Sequence, residues 1–183
     1  MKPNWPTKKL GEISKVVTGS TPSTKISDYY GGNILWAGPS DLDGVQYIKH
    51  TRKTLTEKGF QEGRARLVSK GAVLMSCIGY IGKVAIATQD MTTNQQINSF
   101  IPNTNFVISE YLYYALIFFK DRFVVKTSQT TLPIINKSKC EEVEIPLPSL
   151  EIQKKIVKKI EELFAKISQI QSLRESAASN VAN

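Results

Sequence analysis

The sequence predicts an α+β fold, with a mixed globular domain over residues 1–148 and a long, coiled-coil-forming C-terminal helix over 149–183. Three observations carry this expectation. Short apolar runs bounded by turn residues recur through the first part, and they do not alternate strictly with helical segments, which argues against a doubly wound sheet. The segment EYLYYALIFFKDRF after Ser109 is long and apolar enough for a largely buried helix of three to four turns. Between Ser149 and Ser176 there is neither glycine nor proline, so roughly 28 residues can run on as helix, about 42 Å at 1.5 Å rise per residue.

Taken in order, the strand candidates are residues 34–37, 45–48, 72–77, 84–87, 96–101 and 143–145. Gly31-Gly32 and the Gly79 to Gly82 segment mark turns between them. A short helix is expected around 56–63, interrupted by Gly59, and Ser109 is the expected N-cap of the apolar helix. Pro146-Leu-Pro148 forms an elbow before Ser149, which can cap the long helix. Along that helix Ile156, Ile160, Leu163, Ile167 and Ile170 recur at alternating spacings of four and three, the seam of a helix that pairs with another.

Composition excludes several classes. With 183 residues, 41% hydrophobic and 22% charged, the chain can bury a core and is not of disordered type. No apolar run approaches the ~20 residues that span a bilayer, and MKPNWPTKKL has no apolar signal region, so a cytoplasmic location without membrane contact is expected. Cys77 and Cys140 make neither a metal-ligand pattern nor a disulfide framework.

The net charge of +8 is more telling. From Ser149 onward six basic residues face four acidic ones, so most of the excess precedes the helix. Lys49, Arg52, Lys53, Lys58, Arg64, Arg66 and Lys70 are opposed only by Glu57 and Glu62. Lys120, Arg122, Lys126, Lys137 and Lys139 are opposed only by Asp121. Such clusters can neutralise phosphates and release counterions; one alone reads better as a solvated face, and two on one domain shift the reading modestly toward nucleic acid.

Catalytic signatures are missing. His50 is the only histidine, so His-rich metal sites are excluded. There is no G-x-G glycine loop, no P-loop, no pair of adjacent prolines, and no acidic residue followed two positions later by lysine. Polar, uncharged loops remain. Ser20, Thr21, Ser23 and Thr24 offer hydroxyls beside Lys25, and Gln129 and Thr130 follow the second basic group. Gln95, in Thr93-Asn-Gln-Gln-Ile-Asn98, has an amide of the kind that grips adenine in the major groove. Asn94 and Gln95 also fit a second reading, as buried amides that pin loops.

The order of motifs resembles one half of a type I restriction-modification specificity subunit. The matching features are Trp5 followed by Leu10-Gly-Glu-Ile13, the Gly19-Ser-Thr-Pro-Ser23 loop, and Ile34-Leu-Trp36. They continue with Lys70-Gly-Ala-Val-Leu-Met-Ser-Cys-Ile-Gly-Tyr-Ile-Gly-Lys83, Thr93-Asn-Gln-Gln-Ile97 and Pro146-Leu-Pro-Ser-Leu-Glu-Ile-Gln-Lys-Lys-Ile156. The resemblance implies a target-recognition domain followed by a spacer helix, without catalytic activity or cofactor of its own. In that family the specificity subunit selects double-stranded DNA, methyltransferase subunits carry S-adenosylmethionine, and a separate restriction subunit consumes ATP. The usual subunit holds two recognition domains and two helices; this chain holds one of each. A homodimer through Ile156, Ile160, Leu163, Ile167 and Ile170 is therefore expected, reading a split palindrome. The expected DNA contacts are Ser20, Thr21, Ser23, Thr24, Lys25, Tyr80, Lys83, Gln95, Gln129 and Thr130, with Lys53, Arg64 and Arg66 on phosphates. A coiled-coil adaptor that binds only proteins, and a stand-alone DNA-modifying enzyme with degenerate motifs, are the competing readings.

Overall fold

The computed structural model describes residues 5–127 and 132–181. The chain opens with β1 (Thr7–Lys9), α1 (Leu10–Ile13) and β2 (Ser14–Thr18), and crosses to β3 (Tyr30–Ala37), β4 (Tyr47–Ile48) and β5 (Thr54–Leu55). Next come α2 (Glu57–Gln61), β6 (Leu67–Val68), β7 (Val73–Ser76), β8 (Val84–Ala87), β9 (Met91–Thr93) and β10 (Ile97–Pro102). It ends with α3 (Ser109–Phe118), α4 (Lys120–Val124), α5 (Lys137–Glu141), β11 (Glu144–Pro146) and α6 (Leu150–Val181).

The strands form a five-stranded sheet in the order β2-β10-β7-β8-β4, a four-stranded sheet β5-β3-β9-β6, and a small antiparallel pair β1-β11. Side chains alternate across a strand, and here the alternation divides one sheet between two cores. Val73, Met75, Val84, Ile86 and Phe100 point into a core with α3, α4 and the start of α6. Leu74, Ala85, Ala87 and Ile97 point into a second core beneath the other sheet, with Ala37, Val68 and Met91. Strands covered on both faces read as continuous apolar runs. That is why residues 84–87 are found as a strand with the expected bounds.

Several local expectations are corrected. Gly31-Gly32 is not a turn; it lies within β3, where the register against β5 shifts between Tyr30 and Ile34 and Gly31 takes φ +87. Ser109 is not the N-cap: Ile108 holds that position, while the Ser109 hydroxyl donates to the Gly71 carbonyl (2.7 Å). The apolar helix does not run on unbroken, because Phe119 leaves helical geometry at φ −96, ψ 22 and separates α3 from α4. The strand expected over 45–48 shortens to Tyr47–Ile48, the two residues that pair in parallel with β8.

α6 begins where expected, with the Ser149 carbonyl accepting from the Gln153 N–H (2.9 Å). Its first turns belong to the globular core. Val157 is buried there, Ile156 packs half-buried against it, and Phe164 stacks on Tyr114 with ring centroids 6.5 Å apart. Ile156 therefore packs within its own chain. Beyond it Leu163, Ile167, Ile170 and Leu173 are 49–63% exposed, an apolar stripe left uncovered by the described residues. Among the described residues no helix is long and apolar enough to cross a membrane.

Candidate nucleic-acid interface

Where β2 ends, the chain turns away from the sheet under tight constraint. Gly19 donates to the Ile97 carbonyl (3.0 Å) and Ser20 to the Thr93 carbonyl (2.9 Å). A Cβ on Gly19 would collide with the backbone of Thr93 and Asn94, so only glycine lets the loop lie this close. Trp36 Nε1 donates to the Ser20 carbonyl (3.0 Å) and the Tyr30 hydroxyl to the Pro22 carbonyl (2.7 Å), the two rings meeting edge-to-face at 5.6 Å. The base of the loop is fixed in this way, while Thr21, Ser23, Thr24 and Lys25 stay exposed.

Residues distant in sequence converge on this loop. The Thr21 hydroxyl donates to Gln95 Oε1, and Ser20 Oγ donates to the Arg64 carbonyl (3.1 Å). Arg66 reaches back to donate to the Thr18 carbonyl (3.0 Å). Thr24 and Lys53 line a shallow hollow of about 330 Å³ together with Arg52. The two readings of the amide pair divide between the neighbours. Asn94 is the loop pin, its Oδ1 accepting from the Gln96 N–H (2.9 Å) and its Nδ2 donating to Gln96 Oε1 (3.3 Å), whereas Gln95 is exposed on the loop face.

Arg64 ends α2 in the left-handed region at φ 52, the one non-glycine residue with positive φ among those described. The Ala65 N–H closes back onto the Phe60 carbonyl (3.0 Å), the helix-stop arrangement in which this position usually goes to glycine. Pattern reading could not see this, because Gly63 stands one residue earlier and is occupied by its approach to Pro22 and the Gly59 carbonyl.

A strip of backbone bonds carries the face onward. Cys77 donates to the Gln96 carbonyl (2.8 Å), Ile135 to the Cys77 carbonyl (3.0 Å) and Gly79 to the Pro133 carbonyl (2.9 Å). The turn between β7 and β8 holds Tyr80, 63% exposed, with Gly79 and Gly82 both at positive φ. Lys83 Nζ pairs with Asp43 (2.9 Å), so much of its charge is already answered. Lys120 is the cation closest to the Tyr80 ring, 4.1 Å from its centroid, a neighbour hidden by its distance along the sequence. Tyr80 and Lys83 line a groove with Tyr114 and Phe164, and none of the loop residues 20–25, Arg64, Arg66 or Gln95 lines it. Gln129 and Thr130 lie outside the described residues.

The face offers hydroxyls, amides and guanidinium groups, and among the described residues no nucleophile with a base beside it. Cys77 and Cys140 are buried, and burial pushes both thiols up to about 12, so they persist as thiols rather than reactive thiolates. Among the described residues no group of three or more His, Cys, Asp or Glu could hold a metal ion.

Residues 2–177 match the family described as type I restriction modification DNA specificity domain. The chain belongs to that family. It is 42% identical over 160 residues to the type I restriction enzyme MjaIX specificity subunit of Methanocaldococcus jannaschii, covering 84% of this chain and 36% of that protein. It is 28% identical over 168 residues to the HindI specificity subunit of Haemophilus influenzae, covering 88% of this chain and again 36% of the relative. The chain thus spans little more than a third of the length of these specificity subunits. Its fold is that of the HsdS subunit from Thermoanaerobacter tengcongensis, at TM-score 0.72 and 20% identity over 93% of this chain and 40% of that one. A chain from a structure of type I R-M complex assembly and conformational transition overlays at TM-score 0.75 with 21% identity, over the same shares of the two chains.

Proposed function

We propose that this chain is a non-catalytic DNA-specificity subunit of a type I restriction-modification complex, acting in the cytoplasm and reading one half of a split target. One observation carries the proposal. The Ser20–Lys25 loop, Arg64, Arg66 and Gln95 form a single exposed polar and basic face, locked from below by Trp36, Tyr30 and Asn94. Phosphate contacts by Lys53, Arg64 and Arg66 fix register, and the hydroxyls and the Gln95 amide read base edges. Residues 1–148 are the reader and 149–183 the spacer. Methyltransferase subunits supply S-adenosylmethionine chemistry, and a restriction subunit supplies ATP hydrolysis.

The exposed stripe on α6 supports a twofold dimer with antiparallel helices. Ile160 lies opposite Ile170 of a second copy, and Leu163 opposite Ile167, so the two readers face one DNA duplex at the two ends of the paired helices. Because both readers are identical, the target is a split palindrome. The test is to map the methylated bases in DNA from cells that express this chain with its cognate methyltransferase subunit. A palindromic split motif that vanishes on deletion of this chain is the expected result; an asymmetric motif refutes the dimer, and no motif refutes the specificity role. Sedimentation at micromolar concentration should give twice 20.4 kDa, falling to 20.4 kDa for the variant carrying Leu163→Lys and Ile167→Lys.

A further inference from the structure

A second basic feature adjoins the reading face, in which Lys15 and Lys137, outside the expected contact set, join Arg66. β2 is the last strand of the five-stranded sheet and β6 the last of the four-stranded one. Between them opens a hollow of about 340 Å³ lined by Lys15, Val17, Thr18, Arg66, Leu67 and Lys137, among others. Its charged members are all cationic. Among the described residues neither Lys15 nor Arg66 has a carboxylate partner, and Lys137 has only Glu141, one helical turn away at 3.5 Å with both side chains partly exposed. Such a surface pair contributes little and is readily exchanged for a stronger anion. Arg66 is aimed by its bond to the Thr18 carbonyl (3.0 Å), which fixes one cation of the three.

We infer that Lys15, Arg66 and Lys137 form a clamp for one phosphodiester of the DNA backbone; this rests on the DNA-specificity reading above. Three like charges around one small hollow repel one another until an anion enters it, so the arrangement favours phosphate and disfavours an apolar or cationic occupant. Every second backbone N–H of an edge strand points away from its partner strand, which adds neutral donors along the β2 rim. The hollow also shares Thr18 and Arg66 with the reading face, and Ser20 follows two residues later. A phosphate held here sets the distance between backbone and base edges for the 20–25 loop. Lys15 and Lys137 are thus positioning residues: they register the duplex and read no sequence.

The test uses the full chain, fluorescent 30-base-pair duplexes of fixed sequences, and titrations at several NaCl concentrations. Lys15→Ala and Lys137→Ala should each flatten the plot of log K against log[NaCl] by about 0.9, and weaken binding to every sequence alike. Between 50 and 200 mM NaCl the advantage of the parent chain over either variant should shrink roughly 3- to 4-fold, as one lost counterion-releasing contact requires. Lys15→Arg should restore the slope, and Lys8→Ala, outside the hollow, should keep it. Unchanged slopes in both alanine variants overturn the clamp while leaving DNA recognition intact. Failure of the parent chain to bind any duplex refutes the underlying reading instead. A second arm adds inorganic phosphate against NaCl of equal ionic strength and follows thermal unfolding. Phosphate-specific stabilisation that is lost in Lys15→Ala, without any change of DNA slope, assigns the hollow to the free ion and overturns the DNA clamp.

Discussion

Replacing Arg64 by glycine should stabilise the protein and weaken its hold on DNA, two effects that rarely travel together. An L residue in the left-handed region costs roughly 1–2 kcal/mol relative to the right-handed one. Arg64 sits there at φ 52, with an exposed side chain and a carbonyl that accepts from Ser20 Oγ. Glycine relieves that cost but enlarges the entropy of the unfolded chain by about 0.5–1 kcal/mol, leaving a net gain of about 0.5–1 kcal/mol. For a chain of this length that raises Tm by about 1–4 °C. The Ser20 hydrogen bond goes to backbone and survives the change. The lost guanidinium should flatten the salt plot for DNA by about 0.9, alike for all sequences. Arg64→Ala separates the two terms, because alanine keeps the backbone cost: the same loss of slope is expected with no gain in Tm. Calorimetry and salt-dependent anisotropy on the three proteins decide it. A fall in Tm for Arg64→Gly refutes the conformational argument. An unchanged slope, or a shifted base preference, refutes the phosphate assignment.

Two further outcomes follow from the interior. Gln153 is fully buried; its Oε1 accepts from the Ile108 N–H (3.1 Å) and its Nε2 donates to the carbonyls of Phe106 (2.8 Å) and Pro148 (2.9 Å). Gln153→Leu strands three backbone groups and should cost about 3 kcal/mol, lowering Tm by about 6–12 °C in a thermal scan. Burial also raises Cys77 and Cys140 from about 9, and Tyr111 from about 10, each up to about 12. The folded state keeps protons that the unfolded chain releases, so this stability is complete below pH 9 and falls as pH rises from 9 toward 12. Urea midpoints measured from pH 8 to 10.5 should decline over the upper part of that range, and a flat profile would contradict the burial assignment.

How much of this was legible in the sequence depended on where the stabilising partner lies. β7 and β8 announce themselves because both faces are buried and every residue is small or apolar. β1 is wholly exposed TKK, and β9 is three residues of MTT; each is a strand only because a distant segment pairs with it, β11 for the first, β3 and β6 for the second. No local pattern encodes such pairing. The same holds for the interface. Hydroxyl loops and basic runs were visible as loops and runs, but the contacts of Thr21 with Gln95 and Ser20 with Arg64 join positions 74 and 44 residues apart. The left-handed backbone of Arg64 leaves no trace in residue type at all.

The two prolines at 146 and 148 suggest a hinge between reader and spacer, yet the contacts there argue for a rigid joint. Pro146 closes β11, and its carbonyl accepts from the Tyr111 hydroxyl (2.8 Å). The Leu147 N–H donates to the Pro6 carbonyl (2.7 Å), and the Pro148 carbonyl is taken by Gln153. Val157 then sinks into the core and Phe164 stacks on Tyr114, so α6 is held to the domain for about four turns. The free seam begins with half-buried Ile160 and is widely exposed from Leu163 on. In a twofold pair of such chains the separation of the two readers is set by helix length and seam register, with little slack contributed by the elbow. Inserting one residue within the free part of α6 rotates the stripe by about 100° and breaks the pairing, whereas inserting seven preserves its face and moves the readers apart by about 10 Å per helix. In the proposed dimer, spacing of the two half-sites on DNA is therefore set by α6, and base choice by the loops that the sheets hold.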